Sequence, residues 1–179
     1  YLYLASANGT PMNMADWQTY SGGDTDSYFE DPLFISADSL HLQACSPAVA
    51  HAVYTVTVID DIDGIDRDTE YPTMGAYEYE KIQASDIIFD FPIKGGIAFI
   101  HWTKGNGCRS VLFMKQGNVL PEMPAPEDGL TYSADNEFGL GDQIGNTGWY
   151  CIYNDFYYDD YIQVNGTVGD YTAMVCGYF

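Results

Sequence analysis

Only one stretch of this chain, "NMADWQTYSG" (residues 13–22), spaces its apolar residues as a helix would. Everywhere else they fall in short runs closed by glycine, asparagine or a polar pair. That restriction is severe, because a chain without long helical periodicity must bury its apolar surface with strands. The 18 glycines and 16 tyrosines suit strands joined by many turns, and a hydrophobic fraction of 46% is too high for disorder. The fold class is all-β.

The runs have two textures. From Tyr1 to Tyr79 they are brief: "YLYLAS", "DPLFIS", "LHLQA", "YTVTVID". Such runs suit narrow parallel strands stacked in a coil. From Ala84 they lengthen and alternate, as in "GIAFIHWT", "RSVLFMK", "WYCIYND" and "DYTAMVCGY", which reads as an antiparallel sandwich. A polar "EKIQAS" separates the two, so the reading is one domain over residues 1–79 and a second over 80–179.

Charge narrows the partners. Six Lys and Arg stand against 26 Asp and Glu, a formal net charge of -20. That field repels nucleic acid and anionic membranes, and it favours cations. "YLYLAS" is too short for a signal peptide and has no basic n-region; Tyr1 opens directly in a strand-like alternation, from which a part upstream is expected to have been removed or left out. No apolar run approaches the ~18 residues of a membrane span. Four cysteines, Cys45, Cys108, Cys151 and Cys176, show no metal-binding spacing; disulfides and buried thiols both remain open.

Several motifs occur in order in the first part: "ADWQTYSGGDTDSYFEDPLF", "LHLQACSPAV", "DIDGIDR" and "MGAYEYE". Together they resemble the C-terminal coils of bacterial right-handed parallel β-helix proteins, the pectate-lyase-like surface group of the choice-of-anchor type. That family has Gly where Cys45 stands. The second part, with "DIIFDFPIKGGIAFIHWTKGNGCRSVLFMK" and "GDYTAMVCGYF", resembles a fibronectin-type-III-like domain of bacterial surface proteins, an immunoglobulin-like sandwich. The resemblance implies that Trp102 lies on the second strand, that Arg109 opens the third, and that Tyr171 opens the sixth at the position of a tyrosine corner. The family continues into a seventh strand beyond the position of Phe179. The sandwich is therefore expected to lack its last strand, leaving an edge that invites strand addition. In that arrangement the start of the third strand lies beside the end of the sixth, which makes Cys108 and Cys176 candidates for a bridge, with Cys151 as competitor.

The candidate chemistry is sparse. Asp60, Asp61, Asp63 and Asp66, with Asp68 beyond, surround a glycine turn and could hold calcium, although the ligand spacing of a known calcium loop is incomplete. In the resembling β-helices this stretch is a turn whose acids and following arginine, here Arg67, tie the last coil together. A lyase would need several cations to neutralise uronates, and Arg67 is the only one before Lys81. His41, His51 and His101 are isolated and Ser46 lacks a nucleophile elbow, so no catalytic residue is assigned. Tyr157, Tyr158 and Tyr161, in "WYCIYNDFYYDDYIQ", are candidate carbohydrate contacts, against a plain reading in which Trp149, Cys151 and Tyr153 share one sandwich face. Asn8 and Asn165 in "NGT", and Ser39 in an Asp-Ser-Leu triplet, are candidate glycosylation sites.

The expected role is an extracellular structural or adhesive module of a secreted or cell-surface bacterial protein, assembling into a filament by strand complementation. Its expected partners are other copies of itself, neighbouring domains of its own protein or surface glycans. The alternatives are the non-catalytic C-terminal region of a secreted polysaccharide-degrading enzyme, or a carbohydrate-binding module.

Overall fold

The computed structural model describes residues 5–7, 9–94, 96–118, 123–127, 129–156 and 159–178. The chain divides into two compact units, Tyr1–Glu78 and Tyr79–Phe179. Strands dominate, in keeping with an all-β class, and no helix among the described residues is long and apolar enough to cross a membrane.

The first unit opens with a hairpin of β1 (Ala5–Ala7) and β2 (Thr10–Met12), in which Ala7 pairs with Thr10. Helix α1 (Met14–Ser21) follows; Asn13 caps it by accepting the Asp16 N–H, and Gly22 ends it at φ 66°. Strands β3 (Phe34–Ser36) and β4 (Ser39–Leu42) form a second antiparallel pair. The narrow parallel strands expected over residues 1–79 are thus not what the described strands form. The reason lies in the connections: only Ala37 and Asp38 separate β3 from β4, whereas a parallel return needs a crossover of about a dozen residues. The buried centre is small, with Val49, Ser46, Pro72 and Thr73 at its heart. The Ser46 hydroxyl donates to the Pro32 carbonyl at 2.7 Å, a structural use of that serine.

The second unit is a sandwich of two three-stranded antiparallel sheets. One contains β5 (Ser85–Lys94), β6 (Ile97–Thr103) and β9 (Tyr161–Asn165), in the order β5-β6-β9. The other contains β7 (Arg109–Gln116), β8 (Tyr150–Phe156) and β10 (Tyr171–Tyr178), in the order β10-β7-β8. Alternation places Ile100, Trp102 and Val164 of the first sheet against Leu112, Met114 and Ile152 of the second, and these residues form the core between the sheets.

The second sheet is buried on its other face as well. Tyr132, Ile144 and Trp149, from the long connection between β7 and β8, cover Val111, Phe113 and Cys151. That double burial explains the nearly continuous apolar run of β7, which a sheet with one wet face would not need. The connection is held to the sheet by backbone bonds from Cys151 N–H to Asp142 O and from Asp135 N–H to Cys151 O. Gly141 is required there, because a Cβ would lie 1.9 Å from the Cys151 carbonyl oxygen. Trp149 and Cys151 share this outer face as read from the sequence, but Tyr153 does not. A register shift opposite Leu112 and Phe113 turns Tyr153 into the core between the sheets, where its ring meets Trp102.

Candidate functional site

Among the described residues, β10 is an edge strand. It pairs with β7 along its whole length, and no strand lies on its other side among the described residues. The pairing of Tyr171 with Gln116, and the bond from Gly117 N–H to Asp170 O, fix which peptide groups face which way. Thr172, Met174 and Cys176 turn their backbone groups toward β7, so those of Ala173 and Val175 point outward. Gly177 belongs to the outward set, and its N–H is capped by the Gln83 side chain at 3.0 Å. The sequence "YTAMVCGY" carries neither charge nor proline, the usual protections of an exposed edge. Met174 is its only buried residue; the others are half-buried, with Ala173 and Val175 against the core between the sheets.

Tyr171 opens β10, and its hydroxyl accepts the Val168 N–H three residues upstream at 2.9 Å. Trp102 lies buried on β6, and Arg109 opens β7 with its guanidinium 4.0 Å from the Phe156 ring centre. The "KGNG" that precedes β7 is an anchor. Asn106 accepts the Ile82 N–H and donates to Glu80 O, while Tyr79 donates its hydroxyl to the Asn106 carbonyl. The flanking glycines permit that approach: a Cβ on Gly105 would lie 2.1 Å from Ile82 O, and one on Gly107 would lie 2.2 Å from Tyr178 O.

The carboxylates of the first unit form a tied turn. One Asp61 oxygen accepts the N–H groups of Asp63 and Ile65 at 2.8 and 2.9 Å, and the other accepts that of Glu78 at 2.8 Å. The Glu78 bond, more than any other contact, holds the Asp61 carboxyl below its ordinary range. Asp60 and Asp66 form a backbone bridge on either side, and they and Asp63 are exposed. Arg67 donates to the carbonyls of Thr73 and Gly75 and to Glu78, whose carboxylate also accepts from Thr73. Among the described residues no group of three or more His, Cys, Asp or Glu side chains is placed to hold a metal.

The cysteines correct the sequence reading. Cys108 is disulfide-bonded, as is Cys45, whereas Cys176 and Cys151 are free thiols, so the Cys108–Cys176 bridge is not formed. Register is the cause. Cys176 sits opposite Val111, while Cys108 lies beyond the end of the ladder and donates its N–H to Tyr178 O. Burial pushes the Cys151 thiol up to about 12 and raises that of Cys176. Cys45 adopts φ 67°, a left-handed conformation that glycine favours.

The remaining candidates are dispersed. Asn8, Tyr157 and Tyr158 lie outside the described residues. Ser39 is half-buried at the start of β4, and its oxygen accepts the His41 N–H. Asn165 closes β9, half-buried, with its side-chain oxygen accepting from Gln163. Tyr161 is exposed at the start of β9, its ring 5.8 Å from that of His101, which in turn lies 3.1 Å from Asp90. That grouping across three strands was invisible without the sheet order. Comparison of the chain with protein-family models, with curated proteins and with solved structures finds no match.

Proposed function

We propose that this chain is an extracellular structural or adhesive module of a secreted or cell-surface protein, without catalysis of its own. In this reading its sandwich takes up a strand from a neighbouring chain along β10. One observation carries it: an uncharged eight-residue edge strand whose outward peptide groups at Ala173 and Val175 have no ladder partner among the described residues. A strand laid there would satisfy those groups and cover the half-buried side chains beside them.

A fibronectin-type-III-like sandwich is the finer fold assignment. It is supported by the order of the two sheets, by Trp102 on β6, and by the bond from the Tyr171 hydroxyl to the backbone upstream. The first unit is proposed as the closing end of a β-helix rather than a run of its coils, its chain tied off by Asp61, Arg67 and Glu78. A left-handed Cys45, where that family keeps glycine, fits a turn preserved while its residue was exchanged for a disulfide partner. Disulfide-bonded cysteines favour an oxidising, extracellular setting.

The test is assembly as a function of concentration, followed by analytical ultracentrifugation. Association is expected for the parent chain and is lost in Val175→Pro, which removes an outward N–H without touching the ladder to β7. A parent that is monomeric at every concentration, or a folded Val175→Pro that still associates, sinks the proposal.

A further inference from the structure

The two sheets of the sandwich are treated unequally. The outer face of β10-β7-β8 is sealed by the connection from β7 to β8, whereas the outer face of β5-β6-β9 is open to solvent. On an open face, alternation calls for polar residues. Here the outward positions include Ile88 at 60%, Phe99 at 41% and Tyr161 at 53% exposure.

Register turns these into a grid. One row crosses the sheet as Ile88, His101 and Tyr161; the next crosses as Asp90, Phe99 and Gln163. The His101 and Tyr161 rings stack on each other, with centroids 5.8 Å apart and 26° between planes, which leaves the far face of the exposed Tyr161 ring free. The His101 Nε2 meets Asp90 at 3.1 Å, and the Asp90 side chain remains 60% exposed. The face therefore combines flat rings with a carboxylate, an imidazole and the Gln163 amide.

Size and charge select the occupant. With strands about 4.8 Å apart and outward residues about 6.8 Å apart, the two rows cover on the order of 100–200 Å². A stable protein partner needs roughly 800 Å² per side, so the patch is several times too small. It matches one or two pyranose rings, whose C–H faces sit on the electron-rich faces of aromatic rings while their hydroxyls meet polar flanks. A net charge of -20 and the exposed Asp90 work against a polyanion.

We propose that the outer face of β5-β6-β9 is a binding platform for a neutral glycan, with Phe99 and Tyr161 as stacking rings and Asp90, His101 and Gln163 as hydroxyl partners. The platform is independent of strand uptake at β10. Backbone amide resonances can be followed while cellohexaose, xylohexaose, mannohexaose and chitohexaose are added, with polygalacturonate in parallel. At least one neutral hexaose is expected to shift the resonances of β6 and β9. Phe99→Ala and Tyr161→Ala should each weaken that binding at least tenfold, Tyr161→Phe should largely preserve it, and polygalacturonate should leave the face unmoved. Both side chains are exposed, so the variants' unchanged spectra elsewhere serve as the folding control. The inference is overturned if none of the four hexaoses shifts β6 or β9, if the double alanine variant binds as the parent does, or if polygalacturonate binds the face as well as the neutral sugars.

Discussion

The Arg67 guanidinium lies 3.3 Å from a carboxylate oxygen of Glu78, and the two side chains are only 10% and 5% exposed. Eleven residues apart in sequence, they close the first unit, with the Thr73 and Gly75 carbonyls also accepting from the cation. A unit with so small an apolar centre leans on this contact. Replacing Arg67 with Met strands the Glu78 carboxylate among withdrawn groups and is expected to destabilise the unit by about 3–5 kcal/mol. Faster amide hydrogen exchange at Met74 and Glu78, with β6 and β7 unchanged, would register the loss.

Asp61 makes this closure sensitive to acid. Its folded carboxyl titrates below the unfolded value of about 3.9, so the stability it contributes is fully present above that value. That contribution fades as pH falls through the lower folded value. Asp61→Asn should therefore be less stable than the parent at pH 7, and the gap should shrink under strongly acidic conditions, where the parent's own carboxyl is protonated. Exchange rates of the Ile65 and Glu78 amides across an acid titration provide the readout; a gap that stays constant would contradict the assignment.

Thiol chemistry separates the cysteines. With its thiol pushed up to about 12, Cys151 carries almost no thiolate near pH 8 and should resist iodoacetamide in the folded protein. Cys176, half-buried and raised in the same direction, should react slowly. Denaturation without reductant should yield two alkylated cysteines, Cys151 and Cys176, and prior reduction should add Cys45 and Cys108. Intact mass and peptide mapping distinguish this pattern from a Cys108–Cys176 bridge.

Gly141 allows a closer approach than any side chain would permit. A methyl group there collides with the Cys151 carbonyl, so Gly141→Ala must displace the covering connection or the β8 backbone. The expected cost is about 1–3 kcal/mol in denaturant unfolding, with a red-shifted emission from Trp149 as its cover loosens. Gly139→Ala is a poor control because its φ is 96°; Ala134→Gly tests the same connection without a collision.

The second unit was more legible from sequence than the first, and the residues show why. Period-two alternation in "GIAFIHWT" reports one buried face directly, and Ala98, Ile100 and Trp102 are the residues that bury. The first unit offers runs of three or four residues, too short for any periodicity to reveal whether partners run parallel or antiparallel. The misplaced Tyr153 and the failed Cys108–Cys176 bridge share a cause: both depend on register, which one extra residue in a strand reverses. The Asp90–His101–Tyr161 grouping joins three strands far apart in sequence, so no local motif announces it.

Long surface connections are ordinarily where a chain accepts insertions, tags or protease sites. The one between β7 and β8 inverts that expectation, because its Tyr132, Ile144 and Trp149 are the outer wall of a sheet rather than its decoration. Lengthening or nicking residues 130–149 would wet Phe113 and Val111 and expose an apolar sheet face. Within this sandwich the longest excursion is the least forgiving place to engineer.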